Sequence, residues 1–312
     1  NNNKIYNSTT LIVPVGTIAN YRSATGWNKF SKIIEGDVNT MVEGMTITNE
    51  PLVYRVTSTE NKTCELYGTT GTVTGNLSIP SQVNGYTVTN IASGALRDQE
   101  ITSLNLPATV VSIRRNPVYG CNNFTSVTVD AGNPKYDSRN GCNAIIETAT
   151  NKHVAGCKNT MIPNGIKHIG YSSFNRIKSL TAIEIPSSVE VIDTLAFTYT
   201  GISELTIPAS VKRIEYGAFF GCNNLSIVTS MIEQPFAIKD NVFLYVDTET
   251  NESRFTQATL RVPKGKKALY AATDGWKNFQ EIEEMGSSPT PDPTDPDTDI
   301  SLLSNVIYIN KV

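Results

Sequence analysis

The side chains of this 312-residue sequence best suited to acid–base, metal or thiol chemistry are two histidines, His153 and His168, and five cysteines, Cys64, Cys121, Cys142, Cys157 and Cys222. A histidine shuttles protons near neutral pH or ligates a metal, but both tasks need partners at fixed spacing. His153 and His168 belong to no His-Glu-x-x-His pattern, and the chain has neither a Gly-x-Ser-x-Gly elbow nor a phosphate-cradling glycine loop. Both histidines are therefore read as surface or satisfied structural residues, and no catalytic residue, metal or cofactor is expected. Cys142 and Cys157 sit symmetrically about a turn near Thr150-Asn151. They would either cross-link the base of a hairpin or remain two half-buried thiols. Cys121 and Cys222 share a repeat column but lie several coils apart, too far to bond. Asp292, Asp295, Asp297 and Asp299 could suggest a calcium loop, yet no glycine marks its sharp turn and no glutamate closes it. They alternate with Pro289, Pro291, Pro293 and Pro296, which favours an extended spacer over 286–300.

The elements that would position these groups follow from composition and periodicity. Mean hydropathy is -0.19 and no apolar run approaches the ~18 residues that a membrane helix needs. The net charge is -3, and without the four linker aspartates it is +1. No lysine and arginine cluster marks a nucleic-acid footprint, so no nucleic-acid partner is expected.

Self-similarity organises the rest. Residues 101–113, 180–192 and 202–214 share Leu-x-x-Leu-x-Ile-Pro-x-x-Val-x-x-Ile, with Pro163, Pro186 and Pro208 spaced by 23 and 22 residues. Three positions after each proline stand Val83, Val110, Ile166, Val189 and Val211, with a five-residue insertion after the first. Six after come Ile113, Ile169, Ile192 and Ile214, and eleven after come Val118, Phe174, Phe197 and Phe219, so each slot predicts a core column. Alternating apolar residues predict a short strand that the proline stops, because proline has no amide hydrogen for a ladder. A unit this short cannot bury its own apolar edge, so coils must stack into a β-rich repeat solenoid with short parallel strands.

Non-repeat segments mark the boundaries. Residues 10–35 align with 259–284 at a constant offset of 249, matching Tyr21/Tyr270, Trp27/Trp276 and Phe30/Phe279. Each copy reads as a strand followed by a short helix that covers an exposed end. The expected organisation is a closing cap of an upstream array (1–36), a hairpin cap (37–69), a repeat array (70–257) with a hairpin insertion (131–160), a helical C-terminal cap (258–285), the linker (286–300) and the start of a further domain (301–312). In the insertion, Asn143 to Gly156 reads as the hairpin; in the first cap, 52–57 and 63–67 flank another.

A stack of coils displays its outward strand positions as one face. Here they are Ser103, Asn105, Ser126, Thr128, Asn159, Met161, Ala182, Glu184, Glu204, Thr206, Ile227 and Thr229. The face is small and polar, without the Tyr, Trp or Arg on which tight interfaces usually centre. Candidate contacts on it are Ser103, Asn105, Ser126, Thr128, Met161, Glu184, Glu204 and Thr206, in competition with a purely structural spacer. The hairpin at 143–156 is a further candidate contact.

The run Leu-x-x-Ile-x-Ile-Pro-x-Ser-Val-x-x-Ile-x-x-x-Ala-Phe, as in 180–197 and 202–219, resembles the BspA-like leucine-rich repeats of bacterial cell-surface proteins. The likeness covers about 70–285, with the second cap at 9–36, and includes the insertion at 133–148. It implies a right-handed leucine-rich-repeat coil in an exported protein, at the cell surface or secreted. It also implies adhesion to host matrix proteins or to other bacteria, so the expected function is non-enzymatic binding of a host matrix protein or other surface protein, with a structural spacer as the alternative and a glycan partner ranked behind both. The family has no shared catalytic or ligand residues to carry over.

Overall fold

The structure, a computed structural model, describes residues 3–36, 41–247 and 249–286. The linker (all but Gly286) and the strand-like stretch after residue 301 lie outside the described residues. Most coils place one strand just before the proline slot, as in Glu100–Leu106, Ser126–Val129 and Glu204–Ile207. A two-residue strand follows five and six positions after the proline, at Ser112–Ile113, His168–Ile169, Val191–Ile192 and Arg213–Ile214. Neighbouring coils pair in parallel: Leu104 lies between Leu77 and Val127, and Thr229 between Thr206 and Arg261. Alternation buries Leu104, Leu106, Leu205 and Ile207 and turns Thr206 outward.

The proline slot is a hydrogen-bonded turn. The amides of Val110, Ile166, Val189 and Val211 donate to the carbonyls of Pro107, Pro163, Pro186 and Pro208 at 3.0–3.3 Å. That bond swings the branched side chain three residues later into the core, where each is at most 2% exposed. It explains why this slot is always Val or Ile.

The insertion divides the array. Strands Tyr136–Asp137, Ala144–Glu147 and Lys152–Gly156 pair antiparallel, and the last joins His168–Ile169 in parallel, standing in for one side of a coil. Ala144 and Ile146 point into one apolar cluster, which runs to Ile282, while Ile145 points into a second, which runs back to Ile47. The period-two alternation of one strand thus makes a septum between two cores. Cys142 belongs to the first cluster and Cys157 to the second, and both are free thiols: the septum sends them to opposite faces, so no bridge forms. The expected half-burial is also corrected, since they are 2% and 0% exposed.

Coils beyond the septum stack their rings. Phe174, Phe197, Phe219 and Phe243 lie face to face at centroid distances of 5.0, 5.3 and 5.3 Å. His153 heads the stack, 4.6 Å from Phe174. The expected column of Val118 and three phenylalanines is therefore split, with Val118 in the other cluster and His153 in its place.

Strands Thr46–Asn49, Leu52–Ser58 and Thr63–Thr69 form an antiparallel meander whose last strand pairs in parallel with Tyr86–Ile91 of the first coil. Buried Glu65, held by Arg55 and 3.5 Å from Arg114, ties this cap to the array. At the other end come Thr259–Val262, a helix Lys267–Ala272, a 3-10 turn Trp276–Asn278 and Ile282–Glu284. Residues 10–35 repeat that order: Thr10–Val13, Ile18–Ser23, Trp27–Lys29 and Lys32–Glu35. Edge-to-face contacts of 5.7 Å (Tyr21 and Trp27) and 5.3 Å (Tyr270 and Trp276) show how closely the copies agree. They differ in cover, since Trp276 is 0% exposed against the stack and Trp27 is 48% exposed.

Candidate binding surfaces

Catalytic arrangements are scarce among the described residues. The Nδ1 of His153 lies 2.5 Å from the Ser173 hydroxyl, which donates to the His153 carbonyl, so the imidazole proton on Nδ1 faces the serine oxygen. Both side chains are 0% exposed. Burial pushes the His153 pKa down to about 3, keeping the ring neutral. Their burial shields the pair from solvent. Burial likewise raises all five thiols, Cys121 to about 12 and Cys64 and Cys222 to about 11. Among the described residues no three His, Cys, Asp or Glu side chains gather to hold a metal. No described helix is long and apolar enough to cross a membrane.

The strand face is broken into two sheets. One holds Thr74–Ser78, Glu100–Leu106 and Ser126–Val129; the other begins at Glu204–Ile207. Residues 159–163 and 181–186 between them form no strand, because the Met161 amide turns to the Cys142 carbonyl of the insertion. In the first sheet the expected contacts bond to one another and to their neighbours. Ser103 donates to Asn76 (2.8 Å), Thr128 to Asn105 (2.9 Å) and Asn105 to Asp130 (2.9 Å). Met161, Glu184 and Glu204, in contrast, meet along a groove of about 580 Å³ at the break, with Met161 64% exposed. Thr206 is exposed on the second sheet.

The opposite, turn side carries a surface that reading the strand positions misses. From one coil to the next, amides 9, 11 and 13 residues after a proline donate to carbonyls 8, 10 and 12 residues after the next proline. Ser172, Phe174 and Arg176 bond to Thr194, Ala196 and Thr198, and Leu195, Phe197 and Tyr199 to Tyr216, Ala218 and Phe220, at 2.7–3.0 Å. Aiming all these amides along the array takes a positive φ at the ninth and thirteenth positions. The thirteenth residues are Gly120 (79°), Arg176 (62°), Tyr199 (56°) and Gly221 (73°), and the ninth include Ser172 (54°), Leu195 (57°) and Gly217 (60°). Arg176, Leu195 and Tyr199 are bulky residues in a conformation their sister coils assign to glycine.

These three side chains line a cleft of about 430 Å³ that crosses five coils, together with Arg115, Tyr119, Tyr171 and Tyr216. Glycines seat the rings: a Cβ on Gly94 would lie 2.8 Å from Tyr119, and one on Gly221 2.4 Å from Tyr199. Arg115 lies over the Tyr171 ring at 4.5 Å, a cation–π contact, and donates to its hydroxyl at 3.4 Å. Where this coil meets the next, the buried Asn116 side chain stands in for two rungs of the ladder, donating to the carbonyls of Ser172 (2.8 Å) and Ser173 (3.1 Å), while the Gly120 amide keeps the third to Asn175 (3.0 Å). No carboxylate of the described residues lines the cleft. Three nearby acids are matched by their own bases, Asp193 with Lys152, Glu215 with Arg213, and Glu190 with Lys212 and Lys167, whose hydrogen bonds lower its pKa to about 2, while Asp98 packs behind Gly120 outside the lining. Arg115 and Arg176 enter no ion pair among the described residues, so the cleft is positive.

A family model described as a BspA type leucine rich repeat region matches residues 75–147 and 144–259, in 6 copies. Among solved structures, a leucine-rich cell surface protein from Faecalibacterium prausnitzii is similar at 23% identity over 78% of this chain and 77% of its own, with a TM-score of 0.39. A leucine-rich repeat protein from Eubacterium ventriosum shares 16% identity over 67% and 54%, with a TM-score of 0.47. A pneumococcal vaccine antigen shares 13% over 78% and 99%, with a TM-score of 0.34. No curated protein matches the chain.

Proposed function

Because the chain belongs to the BspA-type leucine-rich repeat family, we propose that it is a non-catalytic binding protein of the bacterial surface, or secreted, that mediates adhesion to host matrix proteins or to other cells. The repeat array supports a binding role, as does the family's occurrence in surface proteins. The observation that carries the reading is the turn-side cleft. Tyrosine and arginine are the residues on which interfaces concentrate their energy, and the cleft collects them over five coils with no acid among its described lining residues. The strand-face groove at Met161, Glu184 and Glu204 is the second contact.

The test is adhesion of beads coated with the full chain to matrix-coated surfaces and to bacterial cells. The cleft double variant Tyr199→Ser/Tyr216→Ser should lose most of the adhesion, and the groove variant Glu184→Lys/Glu204→Lys a smaller part. Undiminished adhesion in both variants would reject these faces. No adhesion by the parent protein would favour a stalk that holds neighbouring domains apart.

A further inference from the structure

We infer that the turn-side cleft is a binding site for an acidic polysaccharide, a chain of sugars bearing carboxylate or sulfate groups. This rests on the reading of the cleft as the contact surface and names the ligand it takes. Three observations carry it. First, the cleft is a track open along the array, and its five layers at strand spacing give it a length of roughly 20 Å. Tyr199 (37% exposed) and Tyr216 (52% exposed) line it, and their aromatic surface suits the apolar faces of sugars, with Lys239 adding a positive charge 5.9 Å from the Tyr216 ring.

Second, its charge is one-sided. The guanidinium of Arg115 is held in place over Tyr171, and Arg176 is exposed without an ion pair among the described residues. Planar guanidinium groups suit carboxylate and sulfate, which they grip with paired hydrogen bonds. Third, the lining keeps hydrogen-bonding capacity for hydroxyls. The Ser93 hydroxyl lies exposed at one end of the track, and the half-buried Asn175 lines its middle. A hydroxyl both donates and accepts, as sugar hydroxyls do. An acidic peptide fits less well, because extended peptides are gripped through an open strand edge and no strand lines the cleft among the described residues.

Strain points the same way. Arg176 and Tyr199 hold left-handed backbone where Gly120 and Gly221 do so at no steric cost, and such conformations gather at functional sites.

The experiment is calorimetric titration of the full chain with four probes: heparin-derived oligosaccharides, oligogalacturonate, neutral malto-oligosaccharide and poly-glutamate. Binding of either acidic oligosaccharide is expected, weakening with added salt. Arg115→Gln/Arg176→Gln should lower affinity at least tenfold and flatten the salt dependence, and Tyr199→Ala should lower it severalfold. Circular dichroism of each variant should match the parent. Preference for heparin-type over galacturonate oligosaccharides would place sulfate as the recognised group, and the reverse would place carboxylate; both support the inference. Equal binding of the neutral sugar, tighter binding of poly-glutamate, or acidic-sugar binding that ignores all three substitutions would overturn it. Absence of sugar binding in a protein whose bead adhesion is still lost in Tyr199→Ser/Tyr216→Ser would overturn the ligand class and leave the adhesion reading standing.

Discussion

Replacing Arg176 with glycine should make the protein more stable. Arg176 sits at φ 62° with an exposed side chain, and among the described residues that side chain has no ion pair. For a residue with a Cβ, left-handed backbone costs about 1–2 kcal/mol. Glycine avoids this but loses about 0.5–1 kcal/mol more chain entropy on folding than alanine does. The difference leaves Arg176→Gly more stable by about 0.5–1 kcal/mol. The Arg176 amide still donates to Thr198, so the ladder is unchanged. Arg176→Ala is the control: it removes the same charge and keeps the strain, so its stability should match the parent. For an array of this size the gain corresponds to roughly 1–4 °C in Tm. Thermal and guanidinium unfolding, followed by circular dichroism, measure both. If Arg176→Gly proves less stable than Arg176→Ala, the backbone is unstrained there and the link between strain and binding fails with it.

Three further outcomes follow from packing and titration. Phe197→Ala removes the middle of a four-phenylalanine stack and should cost about 3–5 kcal/mol, read from denaturant midpoints. His153 is neutral in the folded protein with its pKa near 3, whereas the unfolded chain takes up a proton below about 6.5. Its contribution is therefore complete above pH 6.5 and is lost progressively as pH falls toward 3. Carboxylates with lowered pKa, such as Glu190, act only below about 4.5. Tm should thus decline between pH 6.5 and 5, and His153→Phe should flatten that decline; an unchanged slope in the variant would remove His153 as its cause. All five cysteines are buried free thiols, so a thiol-reactive dye should label none in the native protein and all five after unfolding. Rapid labelling of Cys142 and Cys157 in the native state would mean that the septum opens.

What was legible in the sequence tracks what is periodic. The Val or Ile three residues after each proline was readable because one hydrogen-bonded turn recurs at Pro107, Pro163, Pro186 and Pro208. The twin caps were readable because twelve identities at a fixed offset preserve Gly-Trp and Phe together. The septum was not, since Ala144-Ile145-Ile146 looks like any buried strand and nothing in it says that its two faces serve different cores. For the same reason the pairing of Cys142 and Cys157 stayed open. The strand face looked continuous because Met161 and Glu184 keep the pattern's spacing, although the Met161 amide leaves for the insertion. The cleft was hidden for a different cause. Tyr119, Tyr171, Tyr199 and Tyr216 stand 12, 8, 13 and 8 residues after their prolines, so no single column holds them. A usable signal was the thirteenth position, where Arg176 and Tyr199 stand between Gly120 and Gly221.

The septum has a consequence for how such a protein changes over time. With Ile145 serving one core and Ala144 and Ile146 the other, a poor substitution in the first coils is felt as far as this strand and no farther. The two halves are insulated from each other's errors. Coils carrying the cleft straddle that divide on the turn side, where contact is made by main-chain bonds and the Asn116 amide rather than by a shared apolar filling. Surface residues there are free to be traded for new ones while each half keeps its own fit, which is the freedom a lineage needs if the partner it meets keeps changing.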